Sequence, residues 1–287
     1  MFSNVLVGVK QFEAGRDALS LARVLASGKG NLTLAQVQVE PAPRSGAAGA
    51  AGRRRDALEC LAALRDESQL DAEVVCCVAR SVRRGLHDLA RARGADLLVI
   101  VASREDEIYR DLVGDDAREL LDNAPCDVAV APVGYSARRA LSRAIGVAYD
   151  RSPSSDRVLR LARTIAADRN GTLSAFHVVT GLPAPLPGHF GESIDDAVTQ
   201  ARDGLEELGV EAHAEYGDPV EQLRDFGRSV DLLVLGSRSH GPAGLSGGGI
   251  AQQLADTPPC PLLVVPQREH DSTLTSTSNL TISSETR

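Results

Sequence analysis

The chain has 287 residues, 39 acidic and 31 basic, a net charge of −8 and only 3% aromatic residues. Single-stranded nucleic acids are bound by aromatic side chains over a basic groove, so this composition argues against a nucleic-acid partner. No apolar run approaches the roughly 18–20 residues that cross a bilayer, and no cleavable leader is evident. We therefore expect a cytoplasmic protein with no membrane partner.

The predicted elements alternate between short apolar strands and amphipathic helices. Strands are predicted at 4–9, 32–39, 73–78, 96–101 and 127–131, then at 144–149, 172–179, 210–214, 231–235 and 261–265. Helices fill the gaps, among them 16–26, 155–166 and 250–256, and the first two have an apolar face. Strands that are apolar on both faces predict an α/β fold, in which a parallel sheet is covered by helices on both sides.

The two halves of the chain repeat one another in order. Residues 5–10 and 18–23 match 145–150 and 158–163, 96–100 match 231–235, and 125–132 match 259–266. The matched segments occur in the same order in both halves and only the lengths between them differ, which indicates a duplicated domain. We predict domains at 1–135 and 142–267, a linker around 133–142, a flexible loop at 41–55 and a disordered Ser/Thr-rich tail at 268–287.

Cysteine and histidine provide no metal motif. The five Cys include no CxxC pair and lie mostly in apolar runs, and the six His are scattered. We expect reduced, buried thiols and no metal site. Cys126 and Cys260 precede the last strands at equivalent places, which favours small core residues over redox sensors.

Ligands of an open parallel sheet bind beyond the carboxyl ends of its strands, so the turns after the first and fourth strands are the candidates. In the second half, the fourth strand runs into a glycine-rich segment, 236–250. Glycines let the backbone approach an anion, and a helix predicted near 250 offers amide donors. The segment lacks the Lys-Ser or Lys-Thr of a Walker loop, and a purely structural turn stays equally open.

The motifs at these turns resemble those of the universal stress protein family in its tandem form. The second half has Tyr149-Asp150-Arg151-Ser152, Gly236-Ser237-Arg238 and Pro258-Pro259-Cys260-Pro261; the first has Ala102-Ser103-Arg104, Gly114-Asp115-Asp116 and Ala124-Pro125-Cys126. The resemblance covers about 3–133 and 142–267. It implies, for each half, a five-stranded parallel sheet of order 3-2-1-4-5 in the adenine nucleotide alpha hydrolase-like fold.

The resemblance also implies a ligand, since ATP-binding members carry Gly-x-x-Gly, nine residues and then Gly-Ser or Gly-Thr. There the glycine amides contact phosphates, and the Asp after the first strand lies near the nucleoside. We therefore expect the second half to bind ATP or another adenine nucleotide, with Mg²⁺ accompanying it. The implied binding residues are Tyr149, Asp150, Val178, Gly236, Ser239, Gly248, Gly249 and Ile250. The match is partial, because Ser239 replaces a glycine and Ile250 replaces the closing hydroxyl residue.

The first half departs further from that pattern. Lys10 stands where the Asp belongs, Ala102 replaces the first glycine, and acids occupy 105–107 and 115–116. Carboxylates facing a triphosphate repel it unless a metal intervenes. We predict that the first half does not bind ATP.

The favoured function is a stress-response binding or regulatory protein without catalytic residues. One alternative is a nucleotide-independent interaction or scaffold protein, and another is a slow ATP hydrolase that uses Asp106, Asp115 and Asp116. Asp150 beside His177 or His240 suggests acid–base chemistry, but no nucleophile motif accompanies it, so a binding Asp is the better interpretation. The tandem resemblance further implies that 128–130 pairs with 262–265 within the chain, and a homodimer stays open.

Overall fold

The structure is a computed structural model, and it describes residues 1–39, 47–102, 120–121, 123–137, 143–181, 190–237, 249–267 and 281–285. The chain divides into two compact units. The first comprises Met1–Arg139 with Arg268–Arg287, and the second comprises Ala140–Gln267. The division falls within the predicted linker.

The first unit contains a sheet in which β1 is central. Its strands are β1 (Phe2–Gly8), β2 (Ala26–Val39), β3 (Glu73–Ala79), β4 (Leu97–Val101) and β5 (Asp127–Ala131), and its helices are α1 (Phe12–Leu25), α2 (Ala47–Glu67) and α3 (Val82–Arg93). The pairings β2–β3, β1–β2, β1–β4 and β4–β5 are all parallel. The strands therefore run in the order β3-β2-β1-β4-β5.

The second unit repeats this arrangement. Its strands are β6 (Ala144–Ala148), β7 (Thr172–Val179), β8 (Glu211–Tyr216), β9 (Leu232–Gly236) and β10 (Leu262–Val265), and its helices are α4 (Pro153–Arg169), α5 (Phe190–Glu206), α6 (Pro219–Gly227) and α7 (Ile250–Asp256). All pairs are parallel, in the order β8-β7-β6-β9-β10. The α/β prediction is confirmed in both units.

The central strands form the core of each unit. Leu97, Leu98 and Val99 in β4 are completely buried, as are Leu232, Leu233, Val234 and Leu235 in β9. Their side chains alternate between the two faces of the sheet, so burial of all of them requires helices on both faces. Among the helices that the structure describes, none has the length and apolar character to cross a membrane.

Two segments differ from the prediction. Helix α2 begins at Ala47, inside the predicted flexible loop 41–55, because the alanines and arginines there have high helix propensity despite the interspersed glycines. Residues 281–285, inside the predicted disordered tail, instead form β11 (Thr281–Glu285), which pairs antiparallel with β3. The composition of a Ser/Thr-rich tail does not reveal this strand, because its partner edge lies about 200 residues away in sequence.

Candidate functional site

The candidate site of the second unit lies where β6 ends. The ladder pairs Ala148 with Phe176 on one side and Val147 with Val234 on the other. If both registers continue, Tyr149 is level with His177 on β7 and with Gly236 on β9, about 5 Å from each strand. Strand order reverses at β6, so this edge is the expected place for a ligand.

Asp150 follows β6 and is held in a short polar turn. Its Oδ1 accepts hydrogen bonds from the Ser152 N–H at 3.0 Å and from the Ser152 hydroxyl. Partial burial by itself raises the pKa of Asp150, but hydrogen bonds from Ser152 and Ser155 outweigh it and lower the pKa below the ordinary value. The side chain is therefore an ionised acceptor at neutral pH.

The next residue, Arg151, adopts a left-handed backbone conformation with φ of 62°. Its guanidinium donates to the Gln200 carbonyl at 3.0 Å and lies against Gly204. A Cβ on Gly204 would come within 2.2 Å of the Arg151 Nη2, so a larger residue there would displace the end of this exposed side chain. The contact fixes the turn carrying Asp150 to α5.

Helix α4 begins directly after this turn. Ser152 is its N-cap, and the Ser152 Oγ accepts a hydrogen bond from the Ser155 N–H at 3.2 Å. The Ser152 and Ser154 hydroxyl oxygens are 2.8 Å apart. These serines join the carboxylate in one polar cluster that the sequence analysis did not assign to the site, although Ser-Pro before a helical pattern is a capping signal.

Tyr149 is buried, and its hydroxyl donates to the Asp156 Oδ1 at 2.5 Å. Burial, the hydrogen bond to Asp156 and its charge raise the pKa of Tyr149 to about 12. The His177 Nδ1 donates to the Tyr149 carbonyl at 2.8 Å, because a carbonyl oxygen can only accept. Tyr149 and His177 thus position the strand ends, and Val178 is half-buried beside them.

At two of the predicted glycines, the backbone conformation does not require glycine. Neither Gly236 nor Gly249 has a positive φ. A Cβ on Gly236 would have Val158 as its nearest neighbour at 3.9 Å, and a Cβ on Gly249 would have the Ser237 carbonyl at 3.4 Å. Among the described residues, nothing would clash with a side chain at either position, so the missing Cβ atoms leave this space free of described atoms and open to a ligand.

The remaining predicted residues divide into two groups. Ile250 is buried at the first position of α7, so its side chain belongs to the core and only its backbone is available. Ser239 and Gly248 lie outside the described residues. The Gly249 N–H, a predicted phosphate donor, already donates to the Gln252 Oε1 at 3.0 Å. That internal bond competes with any anion for the amide.

The corresponding edge of the first unit has different chemistry. Lys10 follows β1, and its carbonyl accepts from the Gln36 Nε2 at 3.4 Å. The ladder pairs Val7 with Val99, so extending it places Val101 at the counterpart of Gly236. The predicted counterpart, Ala102, is therefore wrong by one residue, because the likeness of Ser103-Arg104 to Ser237-Arg238 favours a shift of 134, whereas the strands themselves match at 135. A valine side chain occupies the level where the second unit has none.

A cavity of about 770 Å³ lies at this edge of the first unit. Its lining includes Lys10, Gln36, Val101 and Asp17. The buried Asp17 carboxylate is already engaged by the Gly134 and Ser136 N–H groups at 2.7 and 2.8 Å. The acids at 105–107 and 115–116 lie outside the described residues, so the absence of ATP binding in this half stays a prediction.

Burial keeps two of the cysteine thiols neutral. Cys76, Cys77, Cys126 and Cys260 are buried. Burial raises the pKa of Cys77 to about 11 and that of Cys260 to about 12, so both are neutral thiols at physiological pH. Within the described ranges, no cluster of three or more His, Cys, Asp or Glu is placed to hold a metal ion.

Comparison with known proteins identifies a family. The model of the universal stress protein family matches twice, at residues 1–132 and 142–266. No curated protein matches the chain.

Solved structures share the fold over nearly the whole chain. A universal stress protein from Archaeoglobus fulgidus DSM 4304 is 14% identical, with a TM-score of 0.64, over 93% of this chain and 97% of that one. A functionally unknown protein from Pseudomonas aeruginosa PAO1 is 19% identical, with a TM-score of 0.63, over 92% of each chain. A putative universal stress protein from Pseudomonas aeruginosa UCBPP-PA14 is 20% identical, with a TM-score of 0.62, over 92% of this chain and 93% of that one.

Proposed function

The chain belongs to the universal stress protein family, and from that premise we propose that its second unit binds an adenine nucleotide, ATP above all. The bound state, rather than a reaction, would carry the function in a stress response. The first unit would leave ATP unbound and serve as a structural counterpart.

The observation that carries this proposal is the combination of Asp150 with two glycines at one sheet edge. Asp150 is an ionised acceptor, which suits the hydroxyl groups of a ribose. Gly236 and Gly249 leave space that no backbone requirement explains, which suits the close approach of a phosphate. Val178 provides an apolar neighbour for a base.

Further residues extend the proposed site. Ser239 and Gly248 would complete the phosphate contacts, together with the backbone of Ile250. Mg²⁺ would arrive with the nucleotide, since phosphate oxygens and water satisfy most of its coordination.

Binding without catalysis is supported by how the titratable groups of the site are engaged. Asp150 accepts hydrogen bonds from Ser152, and His177 donates to a main-chain carbonyl. Neither contact orients a nucleophile, which acid–base or covalent catalysis requires.

The test is nucleotide carry-over after purification, combined with the melting temperature in ATP and Mg²⁺. A ligand that binds only the folded protein stabilises it by RT ln(1 + [L]/Kd), about 2.7 kcal/mol at a hundredfold excess over Kd. We expect an upward shift for the natural sequence and a much smaller one for Gly236→Ala, whose Cβ fills the ligand space without straining the fold. A melting temperature that millimolar ATP leaves unchanged, together with no co-purified nucleotide, would refute the proposal.

A nucleotide-independent interaction protein is the second candidate, and one contact favours it. The Gly249 N–H is already bonded to the Gln252 side chain, so this amide is not available to a phosphate unless that bond breaks. Gln252→Ala separates the two candidates. If the site is functional, freeing the amide strengthens ATP binding several-fold by calorimetry; if it has decayed, the variant binds no ATP either.

A further inference from the structure

The edge strands of the two sheets away from the site differ in how they are protected. In the second unit, the outer strand β8 carries Glu211, His213 and Glu215, all exposed. Charged side chains on an edge strand discourage another strand from pairing with it. This edge is therefore protected by its own sequence.

The outer parallel strand of the first unit, β3, lacks that protection. From Val74 to Ala79 it has no charged residue and no proline, and Val74, Val75, Cys76 and Cys77 are completely buried. The side chains of these residues lie in the core, so on the side of β3 that faces away from β2 the backbone N–H and C=O groups are what the strand offers to a further strand. Such an edge accepts another strand readily.

The chain itself covers this edge with β11. Five residues pair antiparallel, with Thr281 opposite Val78, Ile282 opposite Cys77 and Glu285 opposite Val74. Among the described strands, β11 is the last in the order and pairs only with β3, so its ladder hydrogen bonds come from one side. Residues 268–280, which connect it to the end of the second unit, contain no proline and are rich in Ser and Thr.

We propose that the β3 edge is a strand-acceptor site and that β11 is its resident, displaceable occupant. A partner protein binds there by adding an extended, proline-free segment antiparallel to β3 in place of β11. The resident sequence Thr281-Ile282-Ser283-Ser284-Glu285 indicates the chemistry that fits: β-branched and small polar residues with little charge. This site is independent of the proposed nucleotide site.

Whether β11 or a partner strand occupies the β3 edge depends on competition between the two. A strand that belongs to the same chain competes as an intramolecular ligand, and effective concentrations in such competition reach the millimolar range. The same strand from a second copy of this chain makes identical contacts without that advantage, so exchange between copies is disfavoured. A partner strand that makes more contacts than five residues overcomes it.

The test uses the full chain and a fluorescent peptide with the sequence of residues 278–287. Alternate N–H groups of an edge strand point toward its neighbour, so Ile282→Pro with Ser283→Pro removes at least one donor to β3. We expect the peptide to bind this double variant about tenfold more tightly or better than the unsubstituted chain, since the tethered competitor is lost. Ile282→Ala with Ser283→Ala is the matched control, and a peptide with both prolines should not bind.

Hydrogen exchange of residues 74–78 gives the second readout, with β8 as the internal reference for intact folding. Exchange should quicken in the proline variant and slow again when the peptide is added. Equal peptide binding to both chains, no binding to the variant, or unchanged protection of 74–78 would overturn the proposal. Concentration-dependent dimers of the unsubstituted chain that vanish in the proline variant would overturn the choice of partner.

Discussion

In the second unit, β6 is followed by Asp150 and a left-handed Arg151, and α4 starts at Pro153. In the first unit, β1 is followed by Lys10, and α1 starts at Phe12 with Gln11 as an N-cap that makes no side-chain bond. The first strands of the two units match at a shift of 140, but the helices that follow start 141 residues apart, so the turn of the second unit is longer by one residue. In the longer turn the Asp150 Oδ1 accepts a hydrogen bond from the Ser152 N–H, whereas the shorter turn has Lys10 at the position of Asp150, so one turn is acidic and the other is basic.

The end of the fourth strand reinforces this contrast. Gly236 in the second unit corresponds to Val101 in the first, and the acceptor Asp150 corresponds to Lys10. The second unit therefore combines a position without a side chain with an ionised acceptor, whereas Val101 and Lys10 line the cavity of the first unit at the corresponding positions. Two copies of one fold therefore need not share one ligand.

The largest expected effect comes from replacing the charged residues that distinguish the two turns. We expect Asp150→Ala to weaken ATP binding about tenfold to a hundredfold, because hydrogen bonds to a charged group contribute about 1.5–3 kcal/mol. Calorimetric titration of ATP measures this. Lys10→Ala, the matched change in the first unit, should leave the affinity for ATP unchanged. A comparable loss of affinity from Lys10→Ala would mean that ATP binds in the first unit, contrary to the proposal.

A smaller effect concerns Tyr149, whose counterpart Val9 has no hydroxyl. Tyr149→Phe removes the bond to Asp156 and should lower the free energy of unfolding by about 1–2 kcal/mol. The folded pKa is raised from 10 to about 12, so this stabilisation is complete below pH 10 and is lost as the pH rises toward 12. Urea unfolding of both proteins at pH 8 and at pH 11.5 measures it; a difference that grows with pH would contradict the assignment.

The smallest effect tests the left-handed residue of the longer turn, Arg151. Arg151→Gly and Arg151→Ala both lose the contact with α5, but only alanine resists the left-handed conformation, so the glycine variant should be more stable by about 1 kcal/mol. At Gln11, where φ is −141°, the order should reverse, with alanine the more stable. Thermal unfolding of the four variants provides the measurement, and the same order at both positions would show that the two turns do not differ as described.

Much of the fold could be predicted because periodicity and repetition are properties of neighbouring residues. Alternating apolar strands and helices, repeated twice, give the α/β fold and place Asp150 and Gly236 at strand ends. The resemblance of the turn motifs gives the family, which the family model confirms. Pairing of 128–130 with 262–265 and a cytoplasmic location stay predictions.

The missed features depend on contacts that a linear sequence does not display. The left-handed Arg151 donates to the Gln200 carbonyl of α5, about 50 residues later. The Gly249 amide is occupied by Gln252, a bond that a glycine-rich pattern does not reveal. Strand β11 pairs with β3, about 200 residues earlier, which neither segment shows alone. The strand register decides between Val101 and Ala102 as the counterpart of Gly236, for which the sequence offers two shifts.

The stoichiometry of ATP binding tests the central contrast most directly. Calorimetry on the full chain, with ATP and Mg²⁺ in excess over Kd, should give one nucleotide per chain. The same titration of Asp150→Ala should lose that site, and the titration of Lys10→Ala should keep it. Two nucleotides per chain, none, or a single site that survives Asp150→Ala would contradict the account.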